Sequence, residues 1–175
     1  ISCDENGHVY IVWSDERDGP YNVFFSYSSD FGKNWLNQEA KMNQNVNSSG
    51  GWVLPKISSD ETGHVYINWQ SLRGTKIDIY TNNSQDFGKT WAQPIRVDSA
   101  PDNALLATPT ISSDDNGNVY VGWRQREVYN NNHIYLNRSS DFGKTWQSIA
   151  KRIDHDPPIS DSINQLTPLP LLAAN

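Results

Sequence analysis

Four arginines occupy related places along the 175-residue chain, and their chemistry is that of carboxylate recognition. Arg17 follows Trp13 by four residues, Arg73 follows Trp69 by four, and Arg124 and Arg126 follow Trp123 closely. A guanidinium presents a planar fork of N–H donors that pairs a carboxylate through two parallel bonds. Arginines brought together from neighbouring units of a fold could therefore clamp one acidic ligand. The competing reading is local: Arg17 sits within reach of Asp15 and Asp18, and an exposed loop arginine commonly spends its charge that way.

The elements that would place these side chains repeat. Ser84-Gln85-Asp86-Phe87-Gly88-Lys89-Thr90-Trp91 recurs at 28–35 and at 139–146, with Gly32, Gly88 and Gly143 spaced by 56 and 55 residues. A second motif, Ile57 to Trp69, keeps the same period at Ile1–Trp13 and Ile111–Trp123. A fixed period of this length marks a repeat architecture. The middle unit reads as a strand at Pro55–Ser58, a turn at Asp60–Gly63, and an alternating strand at His64–Trp69. A polar loop (70–76), a strand at Ile77–Asn82, the repeated box as a turn, and a fourth strand at Ala92–Val97 complete it. Four antiparallel strands repeated radially make an all-β β-propeller blade, and helical periodicity is absent. The expected organisation is a blade at 1–56 with its first strand truncated, blades at 57–110 and 111–165, and the first strand of a further blade at 166–175. Since closure takes about four blades, the expectation is either a piece of a longer chain or copies that associate, two of them giving a six-bladed ring.

The Ser-x-Asp-x-Gly-x-Thr-Trp pattern, with Asn34 in place of Thr in the first copy, resembles the Asp box of the sialidase-like (BNR-repeat) β-propellers. The resemblance spans all three units. It implies that Asp30, Gly32, Trp35, Asp86, Gly88, Trp91, Asp141, Gly143 and Trp146 determine the fold, away from any active site. The aspartates are suited to accepting backbone N–H bonds inside the turn, and the tryptophans to packing between blades. Sialidases of this family hold a sialate carboxylate with an arginine cluster, a Tyr–Glu pair and an acidic Asp. On that likeness Arg17, Arg73, Arg124 and Arg126 are ligand-binding candidates, and Glu127 and Tyr129 are weak catalytic candidates. The family's Arg-Ile-Pro segment is missing, and no position matches its nucleophilic tyrosine.

Antiparallel connectivity puts the first-to-second turns and the boxes on one rim. The second-to-third loops, where the arginines lie, and the connections between units share the other rim, which also takes Glu39, Asp102, His133 and Asp154. Other motif matches are turn chemistry. Asp-Phe-Gly occurs three times without the remaining kinase signature. Gly-Lys-Thr lacks the earlier glycine and the following helix of a phosphate loop. Asp114–Asn118 is too short of ligands for a calcium loop. Cys3 aligns with Ser59 and Ser113 and reads as a small buried strand residue. Sequons occur at Asn47, Asn82 and Asn137.

The net charge of -6, without a basic patch, argues against a nucleic-acid partner, and no apolar run is long enough to span a membrane. Neither a metal nor a cofactor is expected. Two readings of function follow. The preferred one is an exported binding or scaffold module, secreted or at the cell surface, with a glycan or an extracellular protein as partner. Self-association or the remaining blades of a longer chain would supply the rest of the ring. The alternative is part of an exo-sialidase or related glycoside hydrolase completed by further blades.

Overall fold

The computed structural model describes residues 1–17, 19, 21–44, 46, 53–102, 104–126 and 132–155. These form three four-stranded antiparallel sheets in sequence order, and no helix occurs among them. The first blade holds β1 (Ser2–Cys3), β2 (Val9–Asp15), β3 (Asn22–Ser28) and β4 (Ala40–Lys41). The second holds β5 (Lys56–Ser59), β6 (Val65–Arg73), β7 (Lys76–Ser84) and β8 (Ile95–Arg96). The third holds β9 (Leu105–Ser113), β10 (Val119–Arg126), β11 (Asn132–Ser139) and β12 (Lys151–Arg152). The expected further strand at 166–175 lies outside the described residues.

One local expectation fails. Residues 70–76 are not a polar loop: β6 runs on to Arg73, β7 starts at Lys76, and Gly74 and Thr75 alone make the turn. Ser71 and Asp78 face one another across this extension and are both buried, so these polar residues are covered rather than solvated. The fourth strands are also shorter than read, two residues each.

The core lies between blades, not within them. Tyr10, Val23, Phe25 and Met42 of the first blade pack against Val65, Ile67 and Trp69 of the second. Tyr66, Ile79 and Val97 of the second pack against Val119, Val121 and Trp123 of the third. Both faces of a middle blade are therefore buried, which is why Asn68 is sealed although the alternation marks it as polar; its Nδ2 donates to Thr110 O in the next blade at 3.0 Å. At the first strands, hydroxyls link the blades, Ser2 to Ser59 at 2.7 Å and Ser58 to Ser113 at 2.8 Å.

Each box is a closed hydrogen-bond unit. Asp86 Oδ1 accepts Thr90 N–H at 2.8 Å and the Ser84 hydroxyl at 2.8 Å, Asp86 Oδ2 accepts the Thr90 hydroxyl at 2.6 Å, and Ser84 Oγ accepts Gly88 N–H at 2.9 Å. Asp141 repeats these bonds with Thr145 and Ser139. In the first copy the Asn34 amide replaces the threonine hydroxyl, donating to Asp30 Oδ2 at 2.5 Å, so the departure from the pattern keeps the bond. Phe31, Phe87 and Phe142 have positive φ, which non-glycine residues adopt sparingly, and each donates its N–H to the glycine carbonyl of its own blade's first turn. The box and that turn thus share one rim, as the connectivity requires.

Not every box tryptophan is buried between blades. Trp91 meets Phe25 of the preceding blade edge-on at 4.8 Å, and Trp146 packs on the second core. Trp35 is 41% exposed, because each box packs on the blade before its own and none precedes the first among the described residues. Cys3 is exposed for the same reason, whereas its counterpart Ser113 is buried.

Candidate functional site

On the rim opposite the boxes, the ends of β2, β6 and β10 project their arginines beside the residues that follow the fourth strands. In the first blade Asp15 turns the chain by accepting Arg17 N–H at 2.8 Å. It then pairs the same residue's guanidinium at 2.8 Å (Nε) and 2.5 Å (Nη2). Glu39 stands 3.5 Å away and the Phe24 ring lies beneath, 4.7 Å from the guanidinium carbon. Hydrogen bonds from Arg17 hold the Asp15 carboxyl below the usual range. This is the local pairing, not a convergent clamp.

In the second blade Asp78, with its side chain 3% exposed, gathers two guanidiniums. Arg73 places Nε at 3.1 Å and Nη2 at 3.0 Å from Asp78 Oδ2, while Arg96 Nη2 approaches Oδ1 at 3.3 Å. Arg96 also forks onto Asp98 at 3.0 and 2.6 Å, and Asp98 Oδ2 accepts Ile79 N–H at 2.7 Å. Hydrogen bonding to Asp98 raises the Arg96 pKa despite partial burial. Lys76 pairs with Asp102 beside them, and this contact lowers the Asp102 pKa.

The third blade repeats the clasp. Arg152 forks onto Asp154 at 3.1 Å through each nitrogen, His133 Nδ1 lies 2.9 Å from Asp154 Oδ2, and Ile134 N–H donates to Oδ1 at 3.0 Å. Burial pushes the Asp154 carboxyl up, but the bonds from Arg152, His133 and Ile134 outweigh it and hold it at about 2. In the first blade Asn43 takes the same place, accepting Val23 N–H and donating to Asn22.

The candidates therefore do not share one site. Arg17 and Arg73 are each committed to carboxylates of their own blade. Arg124 and Arg126 stand half-buried on β10, and Glu127 and Tyr129 lie outside the described residues. Sequence reasoning missed Arg96, Asp78 and Asp98. A signal was present: Arg96-Val97-Asp98 and Arg152-Ile153-Asp154 stand in register with Lys41-Met42-Asn43.

Asp114 to Asn118 is a turn in which Asp114 Oδ1 accepts the N–H groups of Asn116 and Asn118. Among the described residues no group of three or more His, Cys, Asp or Glu side chains is placed to hold a metal ion, and no helix is long and apolar enough to cross a membrane. The sequon residues Asn82 and Asn137 are both buried, and Asn47 lies outside the described residues.

The fold and boxes define a class, the Asp-box propellers. A family model described as BNR-Asp box repeat matches residues 27–38 and 136–149. The fold is similar to "Hadza microbial sialidase Hz136", with a TM-score of 0.60 and 17% identity over 83% of this chain and 35% of that one. It is also similar to an alpha-L-arabinanase of Penicillium chrysogenum complexed with arabinobiose, with a TM-score of 0.54 and 12% identity over 84% of this chain and 45% of that one. The chain thus spans less than half the length of either structure. No curated protein sequence matches it. The chain thus carries BNR-Asp box repeats on a propeller fold similar to those of both structures.

Proposed function

We propose that the chain is part of an exported, glycan-engaging propeller whose loop rim contacts an acidic sugar through Arg73 and Arg96. The observation that carries this reading is the single buried carboxylate, Asp78, that holds both guanidiniums side by side at the rim. Each uses only its Nε and Nη2 in the bonds described above, which leaves Nη1 donors of both residues for a ligand carboxylate. A pre-oriented pair costs little ordering on binding. The likeness to a sialidase and an arabinanase propeller supports a glycan as the ligand class.

The test is titration of the chain with sialyllactose, compared with lactose. The expected result is binding that requires the sialic acid and weakens about tenfold or more in Arg73→Ala, a loss of about 1.4 kcal/mol. Arg73 is the suitable position because its side chain is half exposed, whereas removing Arg96 strands buried carboxylates. Equal affinity for lactose, or no effect of the substitution, would refute the reading.

A second reading, part of an exo-sialidase or related glycoside hydrolase completed by other blades, is favoured by the fact that both similar structures bear glycosidase names. Release of a fluorogenic aglycone from a sialoside by the native-source polypeptide, abolished by Arg73→Ala, would favour it over a purely binding role.

A further inference from the structure

The two junctions between blades differ at one repeated residue. Asn137, in the third blade, is 1% exposed and donates its Nδ2 to Val97 O of the second blade at 2.7 Å and to Gln147 O at 2.9 Å, tying the blades together near their outer edge. Asn82 is its equivalent in the second blade and is 3% exposed. Its Oδ1 accepts Asn83 N–H at 2.8 Å, which fixes the orientation of the amide. Its Nδ2 has no hydrogen-bond partner among the described residues. The junction is open there: Asn82 lines a lateral groove of about 540 Å³ between the outer edges of the first and second blades, together with Arg17, Gln38, Gln44, Trp91 and Pro94. The amide is thus held in orientation by its oxygen while its nitrogen keeps donors for a ligand in the groove.

We propose that this lateral groove binds a neutral oligosaccharide, with Asn82 Nδ2 donating to a sugar hydroxyl and Trp91 offering its ring to the apolar face of a pyranose. Three features select that chemistry. The amides of Asn82, Gln38 and Gln44 surround the groove, and an amide both donates and accepts, as a pair of adjacent hydroxyls requires. Trp91 is half-buried, held by its Nε1–H on Gly88 O at 3.1 Å and by the edge contact with Phe25, so its ring is fixed before a ligand arrives. Arg17 and Lys41 on the lining are set against Glu39 and against Asp15, which pairs with Arg17, so the groove has no net charge to favour an anion. The volume falls in the range of small-ligand sites, and an open lateral groove suits an extended chain. This site stands apart from the rim pair Arg73 and Arg96 and does not depend on it.

The experiment is 15N NMR titration of the chain with cellohexaose, xylohexaose and maltohexaose. At least one should shift the Asn82 side-chain amide and the Trp91 indole N–H signals, with millimolar or tighter affinity. Trp91→Ala should weaken that binding about tenfold or more. Because Trp91 also packs on Phe25, so that its removal loosens the blade junction as well, the exposed pair Gln38→Ala with Gln44→Ala serves as a second variant, expected to weaken binding about threefold. Arg73→Ala should leave it unchanged, which separates this site from the rim. The inference fails if no hexasaccharide shifts either signal, or if binding survives both groove variants undiminished.

Discussion

The His8 imidazole stacks on the ring of Phe87 in the next blade, with centroids 4.5 Å apart and planes 29° from parallel. His64 does the same to Phe142 at 4.3 Å and 27°. Each imidazole is set from behind by a buried carboxylate, Asp4 for His8 at 2.6 Å and Asp60 for His64 at 2.7 Å. The box phenylalanine is therefore held on both sides: beneath it lies the glycine of its own first turn, above it the histidine of the previous blade. Phe31, which has no histidine over it among the described residues, is 72% exposed.

This stack should register as coupling between blades. A double-mutant cycle with His8→Ala and Phe87→Ala, followed by urea unfolding, is expected to give an interaction energy of about 0.5–1.5 kcal/mol. The cycle is needed because His8→Ala alone also strips Asp4 of a partner. Phe31→Ala should cost clearly less than Phe87→Ala. Additive single substitutions would mean that the rings touch without stabilising the junction.

The space under the phenylalanine makes a second prediction. Gly63 has φ +97°, and a Cβ there would stand 2.7 Å from the Phe87 ring. Gly63→Ala combines an unfavourable backbone with a clash and should cost about 2–4 kcal/mol. Gly74 also has positive φ, +65°, but nothing within 4 Å of its Cβ position, so Gly74→Ala should cost about 1 kcal/mol. Equal losses at the two positions would remove the steric part of the argument.

Much of this is written in the repeat. The 55- and 56-residue spacing of the boxes and the Val65-x-Ile67-x-Trp69 alternation lead to blades and to the face that packs on the preceding one. The partners of the rim arginines were less legible. Arg73 reaches Asp78 only because β6 and β7 extend to a two-residue turn, and residues 70–76 look like loop by composition. The Arg96–Asp98 clasp sits on a two-residue strand, too short to show as an element. Asn82 and Asn137 stand at equivalent positions of the repeat; only the separation of outer edges between particular blades makes one a tie and the other a groove donor.

Arg96 is expected to matter to stability far more than Arg17, although both are rim arginines paired with an aspartate two residues away. Arg96→Ala leaves the buried Asp98 carboxylate without its fork and Asp78 with Arg73 alone, and should cost about 2–3 kcal/mol. Arg96→Lys should recover part of this at most, since an ammonium cannot make the fork. Arg17 and Asp15 are surface groups, so Arg17→Ala should leave the urea midpoint nearly where it was. A midpoint shift of similar size in both would contradict the burial argument.

Acid should unpick the boxes and the third-blade clasp together. Backbone N–H donation from Asn34 and the hydroxyl of Ser28 hold Asp30 at about 2, the Thr145 hydroxyl and N–H hold Asp141 at about 2, and Asp154 is held at about 2 against its burial. Each native carboxyl is thus more acidic than its unfolded counterpart at about 3.8. The folded state binds fewer protons, so the stability these groups supply is complete above about pH 4 and drains away as pH falls towards 2. Thermal midpoints measured from neutral pH down to about pH 2 should stay level and then drop across that window. Asp141→Asn should lower the midpoint at neutral pH, because the amide nitrogen in place of Oδ2 cannot accept the Thr145 hydroxyl and the remaining bonds lose their charge, and should flatten the fall below about pH 4. A variant whose midpoint falls with acid as steeply as the parent's would mean that Asp141 contributes nothing to the acid lability of the fold.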